Sequence, residues 1–112
     1  MRAAAAGVAE PRLLGEGARA ADALEVQRRC VRRYRSYTAE ERRTEPVKVL
    51  CKALGFTVSV AMAATGDFGL IEELAAAATG DPDLRWVVRE NLKKARLRRW
   101  PKEVERLRLL VA

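Results

Sequence analysis

The sequence predicts an all-α fold, a short array of antiparallel helix pairs with about five helices, on three observations. Ala and Leu dominate a hydrophobic content of 49%, while aromatic residues make up only 5%. Ala and Leu favour helices, whereas β-branched and aromatic residues favour strands. Apolar residues recur at intervals of three and four along every long segment, the spacing of one helix face. Acid–proline and glycine–aspartate pairs separate those segments and read as helix stops and starts. At 112 residues the chain is one domain with a real but modest core.

The elements follow in order. Gly7, Pro11, Gly15 and Gly17 interrupt the beginning, so residues 1–17 read as a flexible lead-in and 18–112 as the helical domain. From about Ala18 to Ser36, the positions Ala20 or Ala21, Leu24, Cys30, Val31 and Tyr34 face a core, and Arg28, Arg29, Arg32 and Arg33 lie opposite. Thr38-Ala-Glu-Glu41 fits a capping box, in which Thr38 and Glu41 satisfy each other's free backbone amides, and it starts one short turn. Thr44-Glu-Pro46 opens the next helix with a cap, an acid and a proline in the first turn. Its stripe runs Val47, Leu50, Cys51, Leu54, Val58, Ala61 and Met62, and it is apolar on nearly every side after Ala53. Phe56-Thr-Val-Ser-Val60 alternates as a strand would, but no second strand exists to satisfy its backbone. A helix with a bend at Gly55 is expected instead.

Gly66-Asp67 stops that helix and starts a shorter one carrying Phe68, Leu70, Ile71, Leu74, Ala75 and Ala78, which ends at Gly80. Asp81-Pro82-Asp83 begins another, with the stripe Leu84, Val87, Val88, Asn91, Leu92 and Ala95. Pro101 interrupts it, and Trp100, Val104, Leu107 and Val111 outline a last amphipathic helix. Connections this short put neighbouring helices antiparallel.

Composition narrows function mainly by exclusion. Histidine is absent, and Cys30 and Cys51 are far apart, so a Cys/His zinc site within one chain is ruled out and no metal or cofactor is expected. Both cysteines fall on apolar stripes and read as buried structural thiols of a reducing compartment. No run approaches the roughly 20 apolar residues of a membrane span. The Ala-rich start lacks the apolar core of a signal peptide, so the expected location is cytoplasmic.

The net charge is +7, and all of the excess lies in the last quarter, where ten basic residues from Arg85 to Arg108 face Glu90, Glu103 and Glu105. Arg85, Arg89, Lys93 and Arg96 have the spacing of a single helical face, and Arg98, Arg99 and Lys102 extend it around Trp100-Pro101. Such a face either binds an anionic partner, nucleic acid above all, or is simply solvated with Arg85 bridging to Asp83 or another acid. Trp86 and Trp100 are partner-contact candidates with an equally ordinary alternative, capping a small core.

One internal echo stands out. Glu45-Pro46 followed by Val47-Lys48 matches Asp81-Pro82 followed by Leu84-Arg85 at an offset of 36 to 37 residues, a period typical of helical repeats. The segment Asp81 to Leu97 resembles the first helix of a unit in the HEAT-repeat family of armadillo-like α-solenoids. Asp83 and Arg85 match that family's characteristic acid and base, which the resemblance implies tie neighbouring repeats together. Trp86 to Leu97, with Glu90-Asn91-Leu92-Lys93-Lys94, is also similar to the HEAT-like proteins grouped with bacterial DNA alkylation repair. The resemblance covers about residues 44–99, and the catalytic aromatic and acidic residues of those glycosylases have no matching positions here.

Without histidine the usual general base is missing. Glu72-Glu73 reads as a solvated pair, and Ala64-Thr-Gly-Asp67 lacks the lysine of a phosphate-binding loop. The expectation is a non-enzyme with no catalytic residues: a helical-repeat scaffold for a protein partner or for a second copy. The alternative is non-specific nucleic-acid binding through the basic face.

Overall fold

The computed structural model describes residues 17–112, with side chains from Ala21 onward. Almost all of the expected lead-in, residues 1–16, lies outside the described residues. Six α-helices follow: α1 (Gly17–Ser36), α2 (Ala39–Arg42), α3 (Glu45–Thr65), α4 (Gly69–Ala77), α5 (Pro82–Leu92) and α6 (Pro101–Leu110). Two 3₁₀ turns, Ala78–Gly80 and Ala95–Leu97, sit before and after α5, and no strand occurs among the described residues.

The helix starts follow local chemistry. Thr38 and Glu41 form the reciprocal capping box, with the Glu41 amide donating to Thr38 Oγ1 at 3.1 Å and the Thr38 amide donating to Glu41 Oε1 at 2.8 Å. Asp81 caps α5 by accepting from the amides of Asp83 and Leu84. Thr44 occupies the cap position of α3, but its hydroxyl turns back and donates to the Glu41 carbonyl at 2.6 Å. Gly66 ends α3 in the left-handed region at φ 71°, a conformation that costs other residues energy, and its amide reaches the Met62 carbonyl at 2.7 Å.

Helix α3 is the centre of the molecule. Gln27 meets Thr57, and Tyr34 lies beside Cys51, so α1 runs antiparallel to it. Trp86 lies on Gly55, and Asn91 on Ser59, so α5 runs parallel to it. Helix α4 and its 3₁₀ extension therefore carry the chain back along α3, returning Asp81 to the neighbourhood of Arg42. Leu54, Val58, Ala61 and Met62 of α3 join Ile71, Leu74, Leu84, Val87, Val88 and Leu107 in one apolar core. Burying each such Leu, Ile, Val or Met side chain contributes about 1.5–3 kcal/mol.

Length and composition give α3 what a membrane span needs, contrary to the expectation that no run comes close: it has 21 residues, and an 18-residue window within it has a mean hydropathy of 1.6. Of that window, 61% is buried against the rest of the protein, which accounts for an apolar helix surrounded by α1 and α5.

Polar groups inside the core are paired. Thr57 Oγ1 donates to Gln27 Oε1 at 2.7 Å. Asn91 accepts from the Ser59 amide and donates to the carbonyls of Leu54 and Val87, each at 2.8 Å. One side-chain amide thus holds α5 against the backbone of α3. Gly55 is continuous with the helix on both sides, and close packing explains it: a Cβ there would stand 2.8 Å from Trp86 Cζ3. Only glycine admits the indole at that distance.

Two expectations are corrected. Helix α5 ends at Leu92, Lys93 is its C-cap, and Ala95 is exposed rather than part of the stripe. Lys94 turns extended at ψ 134°, which lets the chain swing Leu97 into the core at 1% exposure. Glu72 and Glu73 are not merely solvated: Glu72 accepts from Arg106 of α6 at 2.5 Å and Glu73 from Arg28 of α1 at 2.9 Å. The single acidic pair on α4 links the helices on its two sides.

Candidate functional site

Two polar regions stand out, one built around Arg42 and one along α5 and α6. Arg42, on the single turn of α2, lies with its guanidinium 4.5 Å from the centre of the Tyr34 ring. Its Nη1 donates to both carboxylate oxygens of Asp81 at 2.9 Å and to Asp83 Oδ2 at 3.2 Å. The same Asp81 carboxylate also caps α5, so one arginine fixes α2 to the start of α5 through a single acid. Its Nε is shut away from water without an acceptor, alone among the described buried side-chain nitrogens and oxygens. A buried unsatisfied donor costs about 1–3 kcal/mol.

Beneath Arg42, burial holds the Tyr34 phenol well above its ordinary range, helped by the Cys51 thiol and Asp83 carboxylate beside it. Burial likewise pushes the Cys51 thiol up, a shift the neighbouring Tyr34 partly opposes. The thiolate needed for nucleophilic chemistry is therefore disfavoured. Above this floor opens a cleft of about 830 Å³, walled by Tyr37 and Trp86 and edged by Arg43, Lys48 and Lys52. Lys48 and Lys52 share the outward face of α3, four residues apart.

The alternative in which Arg85 bridges to Asp83 or another acid is not formed among the described residues. Asp83 goes to Arg42, and Arg85 is half-buried without a carboxylate partner among the described residues. Neither position betrays this in sequence, because Arg42 and Asp81 are 39 residues apart and meet only once α4 has returned the chain.

Of the predicted basic face, Arg85 and Arg89 remain on α5 and Lys93 caps its end. Lys93 Nζ donates to Glu90 at 2.6 Å, which draws that exposed carboxyl below its ordinary range. Arg96 leaves the group. Because α5 ends early, Arg96 turns onto α3, where its Nη1 donates to the Phe56 carbonyl at 3.2 Å and to Ser59 Oγ at 3.1 Å. Arg98, Arg99 and Lys102 are exposed on the connection to α6 and on its first turn. Lys93, Lys94, Arg98 and Arg108 edge a groove of about 330 Å³ between α5 and α6, and Glu105 lines it with them.

The tryptophans differ. Trp100 packs edge-on against Phe68 with ring centres 5.4 Å apart, and the Arg99 guanidinium lies 5.3 Å from its ring centre. Trp100 is thus chiefly a core-edge residue. Trp86 is 41% exposed, as is Phe56. Cys30 and Cys51 are free thiols, and no group of three His, Cys, Asp or Glu residues converges on a metal position among the described residues.

Comparison of the chain with protein-family models, with curated proteins and with solved structures gives no match.

Proposed function

We propose that this chain is a non-catalytic helical module, HEAT-like in plan, that binds nucleic acid without sequence preference through the α5–α6 surface. One observation carries the reading. Glu90 is held by Lys93 and Glu105 by Arg108, whereas Arg85, Arg89, Lys94, Arg98, Arg99 and Lys102 have no carboxylate partner among the described residues. Two of the three acids of this segment are thus paired from within, and the six cations outnumber the third, Glu103, so the surface keeps a positive potential for an external anion. Phosphate neutralisation supplies most of the affinity in non-specific binding, and no base-reading geometry is required.

The test is fluorescence anisotropy of a labelled 20-mer duplex titrated with protein over a salt series. Engagement of four to six phosphates predicts a loss of about two to three orders of magnitude in affinity between 50 and 200 mM salt. The triple substitution Arg89→Glu, Arg98→Glu and Lys102→Glu should abolish binding while leaving the far-ultraviolet circular dichroism spectrum unchanged. Equal affinity in that variant overturns the reading.

A second reading, a protein partner or a second copy, has its own support. Leu109 and Leu110 near the end of α6 are 70% and 62% exposed. Sedimentation velocity from 5 to 500 μM tests the self-association arm. A single monomer boundary throughout, unaffected by Leu109→Lys, removes it.

A further inference from the structure

We infer that the cleft above Arg42 is a binding site for a nucleoside di- or triphosphate. It shares α5 with the α5–α6 surface through Trp86 but uses a different set of cations, and it does not depend on that surface binding nucleic acid.

The volume of about 830 Å³ lies within the range of small-molecule sites and exceeds what a bare phosphate would fill. Its two kinds of wall match the two ends of a nucleotide. Tyr37 and the exposed Trp86 ring offer flat apolar surface for a base, which stacks on aromatic side chains irrespective of its identity. Arg43, Lys48 and Lys52 bring three positive charges to the same cleft, and none has a carboxylate partner among the described residues. Two or more phosphates suit three cations better than one carboxylate does. Lys48 and Lys52 repel each other across one helical turn, and an anion between them relieves that repulsion.

The cleft also contains two acids, Asp81 and Asp83. Both are tied to Arg42, which offsets one of their two charges, and with Arg43, Lys48 and Lys52 the lining keeps four cations against two acids. That tie, with the stacking of Arg42 on Tyr34, gives the cleft a fixed floor. The Trp86 wall is backed as well, since one side of its ring rests against Gly55 of α3. A site assembled in advance loses less ordering entropy when it binds.

Equilibrium dialysis of the whole chain against radiolabelled ADP, adenosine and pyrophosphate as separate probes tests the inference. ADP should bind one to one and saturably, with adenosine and pyrophosphate each at least about tenfold weaker, because each engages only one kind of wall. Lys52→Glu and Trp86→Ala should each weaken ADP by about tenfold or more. Arg29→Glu makes the same change in net charge on α1, away from the cleft, and should leave ADP binding unaltered. Thermal melting of each variant separates lost binding from lost folding. No saturable ADP binding at millimolar concentration overturns the inference. So does pyrophosphate binding as tightly as ADP, which marks a plain anion patch, or an equal loss in Arg29→Glu. Duplex binding measured on the same proteins keeps the two proposals apart: Lys52→Glu should lower ADP binding, whereas substitutions at Arg89 and Arg98 should lower duplex binding.

Discussion

At one end of the molecule Arg42 lies on an aromatic ring and reaches two carboxylates at 2.9–3.2 Å, with its side chain 15% exposed. At the other end Arg98, Lys102 and Arg89 stand in solvent with no carboxylate partner among the described residues. The side-chain types are the same and the consequences are opposite. Around Arg42 the charge is consumed in joining α2 to α5, so it contributes to the fold and little to the outside. Along α5 and α6 Arg106 is engaged with Glu72, but the charge of Arg89, Arg98 and Lys102 joins no helices and remains available to a partner. A count of positive charge in the sequence mixes these two kinds, and only burial and pairing separate them.

Substitutions can break this contrast, and the largest effect is expected in the interior at Asn91. Asn91→Ala leaves the Ser59 amide and the Leu54 carbonyl without their side-chain partner and opens a small void. A loss of about 3 kcal/mol is expected, from unsatisfied buried groups together with lost packing. Urea unfolding followed by circular dichroism measures it, and a loss under 1 kcal/mol would show that α3 closes its own backbone hydrogen bonds without help from α5.

Arg42 and Arg98 make the direct comparison. Arg42→Ala strands Asp81 and Asp83 at a half-buried position and removes the cover from Tyr34. The expected cost is about 2 kcal/mol, between the range for buried pairs and that for surface pairs. Arg98→Ala should fall within about 0.5 kcal/mol of the parent, while weakening duplex binding. If the two substitutions cost the same stability, the distinction between engaged and available arginines fails.

How much of this was legible in the sequence divides along the same line. Features set by neighbours in the chain came through: the Thr38–Glu41 box, the Thr44-Glu-Pro46 start, the Gly66 stop and the Asp81 cap are all written in runs of three or four residues. So was the core of α3, because its stripe is long and regular. What was not legible depends on contacts between distant segments. The pairing of Arg42 with Asp81 needs the return path through α4 to bring the two together. The end of α5 at Leu92 depends on the gain from burying Leu97, which a helical continuation through Ala95 would have turned away. Arg96 followed the same break, and a spacing argument that assumed an unbroken helix placed it on the wrong side. The bend expected at Gly55 is absent, and the indole lying across it supplies the reason for a glycine there. The cleft itself left no motif, since its walls come from four separate elements.

The smallest expected effect concerns pH and again divides interior from surface. Cys30, Cys51 and Tyr34 have their ionisations pushed up by burial, so the folded chain keeps these protons to higher pH than the unfolded chain does. Above the ordinary thiol range, near pH 8.5, the unfolded state binds fewer protons than the folded one, and stability falls as pH rises. Below that range the contribution is fully present. On the surface, Glu90 is shifted the other way by Lys93, so its contribution is present above the carboxylate range and lost as pH falls. Solvent screening at that exposed pair keeps the term small. Melting temperatures taken under reducing conditions from pH 7 to pH 10 should therefore decline, and Cys51→Ala should flatten the decline. In Glu90→Gln the alkaline decline should persist unchanged. A Cys51→Ala variant with the parent's alkaline slope would mean that this thiol is solvated in the folded chain, which would also leave the floor of the cleft open to reagents that attack thiolates.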